Sequence, residues 1–226
     1  MKAKDVMVTD VITVRPDDSV FEAAQLLVKN DISALPVVDD EGRAVGIISE
    51  ADLMRREEIG TQKQRPWWLE AMMPATTLAN EFAKSHGKRV AELMSRHIVS
   101  ASEDTPLAEI AALLERNRIK RVPIMKDGKL VGVVSRANII QALASSKREP
   151  DDERQGEGDR AIRWEVLARL AEQKWTDFGS RNVIVAGGVV HLWGLVGSAE
   201  ERRALTALAE GVPGVIGVVD EMIPAY

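Results

Sequence analysis

One pattern occurs twice in this chain, in the same order and at a nearly constant offset. Thr13-x-x-Pro16, Leu35-Pro36 and Gly46-Ile47-Ile48-Ser49-Glu50-Ala51-Asp52 return as Ser100, Val122-Pro123 and Gly132-Val133-Val134-Ser135-Arg136-Ala137-Asn138. The offset is 87 residues at Thr13/Ser100 and Pro36/Pro123, and 86 at Gly46/Gly132 and Asp52/Asn138. A duplicated stretch of this kind folds twice into the same supersecondary structure. The one lost residue falls where Asp39-Asp40-Glu41-Gly42-Arg43 becomes Lys126-Asp127-Gly128-Lys129, a hairpin turn, where lengths vary while strands do not.

Each copy reads as β-α-β-β-α. A short extended segment (Val11 to Val14; Ile98 to Ala101) precedes a helix, whose start is marked by a Ser19/Glu22 capping box in one copy and by Thr105 ahead of Pro106 in the other. Apolar residues then recur at helical spacing in Val20, Ala23, Ala24 and Leu27, and in Leu107, Ile110, Ala111 and Leu114. Two apolar strands around a turn follow, and Ser49 and Ser135 open a second helix.

Between the copies, residues 59–87 read as a helical linker, with a helix expected over Pro66 to Met73 whose Trp67 and Trp68 dock on the repeats or on a second copy. Residues 147–159 are charged, without apolar period, and read as a flexible tether. The tail, 160–226, reads as α-β-β-α-β: a helix through Ile162, Val166 and Leu170, a hairpin around Gly187-Gly188, a helix opened by Ser198 and Glu201 and closed at Gly211, and a last strand from Val215 to Val219. The repeats themselves span 1–58 and 88–146. The fold class is α/β (α+β), in several small domains.

Composition narrows the function. The net charge of −5 is uneven: residues 1–54 hold five basic against eleven acidic residues, whereas residues 90–146 hold eight against six. A mildly acidic chain lacks the cationic face that nonspecific nucleic-acid binding requires. With no cysteine there is no disulfide, thiolate metal site or cysteine nucleophile, and no apolar run approaches the about 20 residues of a membrane span. A cytoplasmic location is expected. His86, His97 and His191 are scattered, and no phosphate loop, nucleotide fingerprint or nucleophile elbow is present, so neither a metal site nor catalysis is expected.

The Ser-x-x-Asp element has two physical readings. A serine at a strand-to-helix junction exposes free backbone N–H groups and a hydroxyl, suited to a phosphate or ribose oxygen, with the Asp52 carboxylate one turn along to accept from a ribose diol. The same spacing is also an ordinary helix cap. Asn138, an amide in place of a carboxylate, offers one acceptor oxygen instead of two.

The duplicated Gly-h-h-Ser-x-x-Asp/Asn ending, where h is apolar, with its upstream Thr/Ser and h-Pro elements, resembles the cystathionine-beta-synthase (CBS) domain family. The resemblance implies a tandem pair packed with pseudo-two-fold symmetry, a Bateman module, that binds adenosine derivatives in clefts between its sheets and dimerises through helices. It implies that Asp52 and Asn138 contact ribose, that Ser49 and Ser135 supply hydroxyls, that Thr13 and Ser100 lie at the cleft floor, and that backbone at Leu35-Pro36 and Val122-Pro123 faces adenine. Arg121 and Arg136, with Lys120, lie beside the second copy's motifs, where cations favour an anionic ligand. The tail resembles the BON domain through Gly188 to Val196 and Gly214 to Val219.

Two functions follow. In the first, an adenosine nucleotide (AMP, ADP or ATP, with NAD(H) or S-adenosylmethionine equally open) binds the pair, and the signal passes to the BON-like tail or a protein partner. In the second, the pair is a ligand-free scaffold and the tail is the interaction module. The BON family is linked to phospholipid association, but the net −2 of residues 161–226 opposes docking on anionic lipid.

Overall fold

The computed structural model describes residues 1–54, 56–61, 66, 72–145 and 153–225. It contains two compact units, and their boundary does not follow the sequence repeats. The smaller unit is Ile12–Ile98 with Asp127–Leu130; the larger is Met1–Val11, Val99–Lys126 and Val131–Tyr226. The first eleven residues thus fold with the second repeat, and the start of the second repeat folds with the first.

The elements in chain order are α1 (Ala3–Val6), α2 (Val20–Lys29), β1 (Ala34–Val38), β2 (Ala44–Ser49), α3 (Glu50–Leu53), α4 (Ala75–His86), α5 (Val90–Leu93), β3 (Ala101–Ser102), α6 (Leu107–Arg116), β4 (Arg121–Lys126), β5 (Lys129–Ser135), α7 (Arg136–Ser145), α8 (Glu153–Ala171), β6 (Val183–Ala186), β7 (Val189–Val196), α9 (Ala199–Glu210) and β8 (Gly217–Pro224).

In the smaller unit, α2 begins as the sequence indicates. The Glu22 N–H donates to Ser19 Oγ at 3.1 Å and the Ser19 N–H to Glu22 Oε2 at 2.9 Å. These Ser19 donors hold the Glu22 carboxyl below its ordinary value. Strands β1 and β2 pair antiparallel with Leu35 opposite Ile48. Val14 lies parallel beside β1: its N–H donates to the Pro36 carbonyl at 3.1 Å and its carbonyl accepts from Val38 at 2.9 Å. On the far edge Ser95 exchanges two backbone hydrogen bonds with Ile47, at 2.8 and 2.9 Å. The core joins Val14, Val20, Ala23, Leu27, Leu35, Val37 and Ile48 with Val90, Leu93 and Met94.

Gly46 is required by that edge. A Cβ there would stand 2.5 Å from Met94 Sδ and 3.0 Å from the Ser95 carbonyl oxygen. The expected helix over 66–73 falls largely outside the described residues, as do Trp67 and Trp68; α4 begins after Pro74.

The larger unit repeats this construction. Ala101 pairs parallel with Ile124, and Val8 exchanges two bonds with Val133, each 2.9 Å. Met7 covers Gly132, where a Cβ would stand 2.7 Å from its sulfur. The Thr105 hydroxyl, expected at the helix N-terminus, instead accepts from the Ser102 N–H at 3.0 Å, and Pro106 occupies the N-cap of α6.

The tail shows the expected α-β-β-α-β order in a sheet ordered β6-β7-β8, antiparallel then parallel. Helix α8 starts at Glu153, within the segment read as a tether, and residues 146–152 lie outside the described residues. The last strand runs later than expected, to Pro224. Asp159 of α8 fixes the β6–β7 turn by accepting the Gly187 and Gly188 N–H groups at 2.8 and 2.7 Å, and both glycines have positive φ.

Alternation along β6 assigns its side chains to two cores. Val183 and Val185 face α8 and α9 in the tail's own core with Val166, Leu170, Leu205 and Met222. Ile184 points the other way, into the core of the second repeat with Ala3, Val6, Met7, Ile110, Val122, Ile124 and Val134, and Trp193 packs against the same cluster. Trp193 therefore bridges the tail and the second repeat, its Nε1–H donating to Ser145 Oγ at 3.4 Å.

Candidate functional site

In the smaller unit the register of the hairpin gathers the first repeat's elements. Ala34 lies opposite Ser49 and Pro36 opposite Ile47, and the Pro36 carbonyl receives Val14, which brings Thr13 beside Pro36. Thr13, Leu35, Pro36, Ser49 and Asp52 therefore surround the end of the sheet where β1 begins and β2 ends. Leu35 is wholly buried and Pro36 buried, leaving backbone for any polar contact there, while Thr13, Ser49 and Asp52 are half-buried. Ser49 Oγ donates to Asp52 Oδ2 at 2.7 Å and the Ser49 N–H to the same oxygen at 3.0 Å.

The second repeat, in the larger unit, carries the same geometry. Ser135 Oγ donates to Asn138 Oδ1 at 2.7 Å, and the Ser135 N–H donates to it at 2.9 Å. Val122 and Pro123 are buried, Arg121 is half-buried, and Ser100, Lys120 and Arg136 are exposed. The two sites differ at their acids' positions. Asn138 is 3% exposed and its Nδ2 reaches Gln141 Oε1 at 3.5 Å, whereas Asp52 is half-exposed on a helix of one turn.

The expectation of free N–H groups at the helix starts fails for the first donor of each helix. The Glu50 N–H donates to the Ser33 carbonyl at 3.1 Å and the Arg136 N–H to the Lys120 carbonyl at 3.2 Å, and the Asn138 N–H to Ser135 Oγ at 3.3 Å. Residues 33 and 120 are an 87-residue pair. In both repeats the carbonyl of the residue before the strand takes the first helical donor.

Of the histidines, His86 sits 2.6 Å from Glu57 Oε2 through Nε2 and stacks on Phe82 at 3.8 Å, His191 is buried in β7, and His97 is exposed. Among the described residues no group of three or more potential ligands is placed to hold a metal.

The family model of the CBS domain matches residues 3–58 and 90–145. A protein of Methanocaldococcus jannaschii, MJ1426, is 32% identical over 154 residues, covering 63% of this chain and 91% of that protein. The chain belongs to the CBS-domain family. The tandem CBS pair is followed by a BON domain, whose model matches residues 158–223. The chloroplastic CBS domain-containing protein CBSX2 of Arabidopsis thaliana is 32% identical over 145 residues, 62% of this chain and 61% of its own length; the match to CBSX1 spans 63% of that protein. This chain thus spans less than two thirds of either plant relative. The crystal structure of CBSX2 in complex with AMP is similar at a TM-score of 0.55 and 30% identity, covering 63% of this chain and 96% of that one. Inosine-5'-monophosphate dehydrogenase of the same archaeon is 33% identical over 141 residues, only 23% of the enzyme. The CBS pair therefore occurs both in CBS-domain proteins and as a minor part of an enzyme.

Proposed function

We propose that this chain is a non-catalytic regulatory protein whose CBS pair binds an adenosine nucleotide and passes the event to the BON domain or a protein partner. The observation that carries this reading is the similarity to CBSX2 bound to AMP, met in this chain by a half-exposed carboxylate at Asp52 beside Ser49. The first repeat, with Asp52, makes the stronger ribose contact; in the second, Asn138 is a buried amide. Arg121 and Arg136 supply the cations for phosphate, which favours AMP, ADP or ATP over uncharged adenosine. NAD(H) and S-adenosylmethionine share the adenosine and belong in the same screen. Domain limits of 1–58, 59–87, 88–146, 147–159 and 160–226 serve as working boundaries. The pair dimerises through helices that leave Phe21 and Val28 of α2, and Ile140 and Leu143 of α7, exposed. No helix among the described residues is long and apolar enough to cross a membrane; a cytoplasmic location accords with the absence of cysteine.

A second reading is a ligand-free scaffold whose BON domain is the interaction module. It is favoured by the Ser49–Asp52 and Ser135–Asn138 pairs, which act as caps without any ligand, and by Leu195 and Ile223, which are partners across β7 and β8 and both exposed. Isothermal titration of the full chain with AMP, ATP, NADH and S-adenosylmethionine separates the two. Saturable heat with one of them supports the sensor, and none with all four leaves the scaffold.

A further inference from the structure

The candidate site of the second repeat sits on a junction: Ser135 is the last residue of β5 and Asn138 lies in the first turn of α7. The BON domain backs both elements. Ile184 of β6 and Trp193 of β7 share one apolar cluster with Val134, which precedes Ser135, with Ile139, which follows Asn138, and with Val122 of β4. Strand β6 lies against α7. The Trp193 Nε1–H donates at 3.4 Å to the hydroxyl of Ser145, the last residue of α7, which is 2% exposed.

A second set of contacts reaches β5 through the start of the chain. Val8 exchanges two backbone bonds with Val133, and the Met7 side chain covers Gly132, so residues 7–8 flank the strand just ahead of Ser135. The BON domain holds these residues by polar groups. Arg163 of α8, 6% exposed, donates to the Met7 carbonyl at 3.0 Å and to its own domain's Ser180 and Val183 carbonyls at 2.8 and 2.9 Å. Ser180 Oγ accepts from the Thr9 N–H at 3.0 Å and donates to Asp10 Oδ2 at 3.4 Å. A buried cation served by carbonyls adds little stability, because desolvation offsets what its hydrogen bonds contribute. Its geometric effect is definite: it fixes the Met7 carbonyl against the BON sheet. Every one of these contacts lies within the larger unit.

We infer that the BON domain is coupled to the second repeat's site, with Arg163, Ser180 and Trp193 as positioning residues that hold β5 and α7 in the relation at which Ser135 and Asn138 meet. The Ser135 N–H and hydroxyl converge on Asn138 Oδ1 at 2.9 and 2.7 Å, and a shift of about 1 Å between strand and helix breaks bonds of that length. Coupling of this kind is reciprocal: a nucleotide that engages Ser135 and Asn138 tightens the BON domain's hold on residues 7–10 by the factor by which that hold tightens nucleotide binding. Only this ligand arm rests on the nucleotide-binding reading.

The test uses the full chain with Ser180→Ala and Trp193→Phe, and follows amide hydrogen exchange residue by residue, first without nucleotide and then with saturating AMP. Ser180→Ala removes one hydroxyl and keeps the apolar core, so it decides the matter should Trp193→Phe fail to fold. Exchange at Ile124, buried in β4, reports opening of the whole unit and serves as the reference. Without nucleotide, the Ser135 and Asn138 amides are expected to exchange about fivefold faster relative to Ile124 in each variant. With AMP, the Thr9 amide of the wild type is expected to exchange about fivefold more slowly relative to Ile124, and this protection is lost in Asn138→Ala. Acceleration confined to residues 158–223 and Thr9, or an equal acceleration of Ser135, Asn138 and Ile124, overturns the coupling, as does an unaltered Thr9 rate when AMP is bound. Should the wild-type chain bind no AMP, the nucleotide reading fails while the Ser135 and Asn138 amides still decide whether the BON domain positions the site.

Discussion

The sulfur of Met7 covers the Cα of Gly132, and Met94 stands in the same relation to Gly46. Each N-terminal segment therefore packs on the hairpin of the opposite repeat, and each glycine of the Gly-h-h-Ser element is the place where that segment crosses. Gly46→Ala and Gly132→Ala are each expected to lower unfolding stability by about 1–3 kcal/mol, the usual cost of overpacking. The methionine can swing away, but the Ser95 and Val8 carbonyls, each 3.0 Å from the added carbon, are held by paired strand bonds. Urea denaturation measures this, and neutral substitutions would contradict the exchanged arrangement.

Gly194 is constrained twice. Its φ is +112° and a Cβ would lie 2.0 Å from Asn182 Nδ2, which donates to the Trp193 carbonyl at 2.7 Å. Gly194→Ala combines backbone strain with a steric clash that displaces Asn182, at a combined cost of at least about 2 kcal/mol. A melting temperature within one degree or so of wild type would show that β7 relaxes freely there.

Ile184 belongs to the BON sheet in sequence but to the core of the second repeat in space. Ile184→Ala is expected to cost about 2–4 kcal/mol and to speed hydrogen exchange in α1 and β4 as well as in β6. Faster exchange restricted to residues 158–223 would mean that the BON domain is independently stable.

Asp220 links pH to stability in the tail. Burial raises its carboxyl, but the hydrogen bond and charge of Arg202, at 2.6 Å, and the Met222 N–H outweigh this and bring it below the ordinary aspartate value of 3.8. A carboxyl depressed in the folded state contributes stability that is present above 3.8 and lost as pH falls through its folded pKa. The pair is partly exposed, so Asp220→Asn should cost under about 1 kcal/mol at neutral pH. The difference from wild type should shrink below pH 3.8; a constant difference down to pH 2 would contradict the assignment.

The sequence displays the repeats, both hairpins and the tail's element order because each rests on local signals: the Ser19/Glu22 cap, the period of Val20 to Leu27, the Gly187-Gly188 turn. It conceals what depends on distant partners. That Met7 serves Gly132 and Met94 serves Gly46 is a matter of topology, although both residue pairs recur at offsets of 87 and 86 and so mark a shared contact. The helix-start donors were hidden likewise, since Ser33 and Lys120 act through carbonyls that carry no side-chain signal. Arg163, a charged residue next to the apolar stripe of Ile162, Val166 and Leu170, becomes visible only once β6 and residues 7–10 are side by side. Val183, Ile184 and Val185 are apolar on both faces of β6, and which core each face joins required the fold.

The central claim is that the Ser49–Asp52 element is an adenosine site as well as a cap. It is tested most directly by titrating AMP into the full chain and into Asp52→Ala and Asn138→Ala, with a melting curve for each. The prediction is saturable AMP binding in the wild type, weakened at least about tenfold, or 1.4 kcal/mol, in Asp52→Ala and less in Asn138→Ala, while loss of the cap lowers stability by only about 1 kcal/mol. No AMP binding, or equal affinity in wild type and Asp52→Ala, would contradict it.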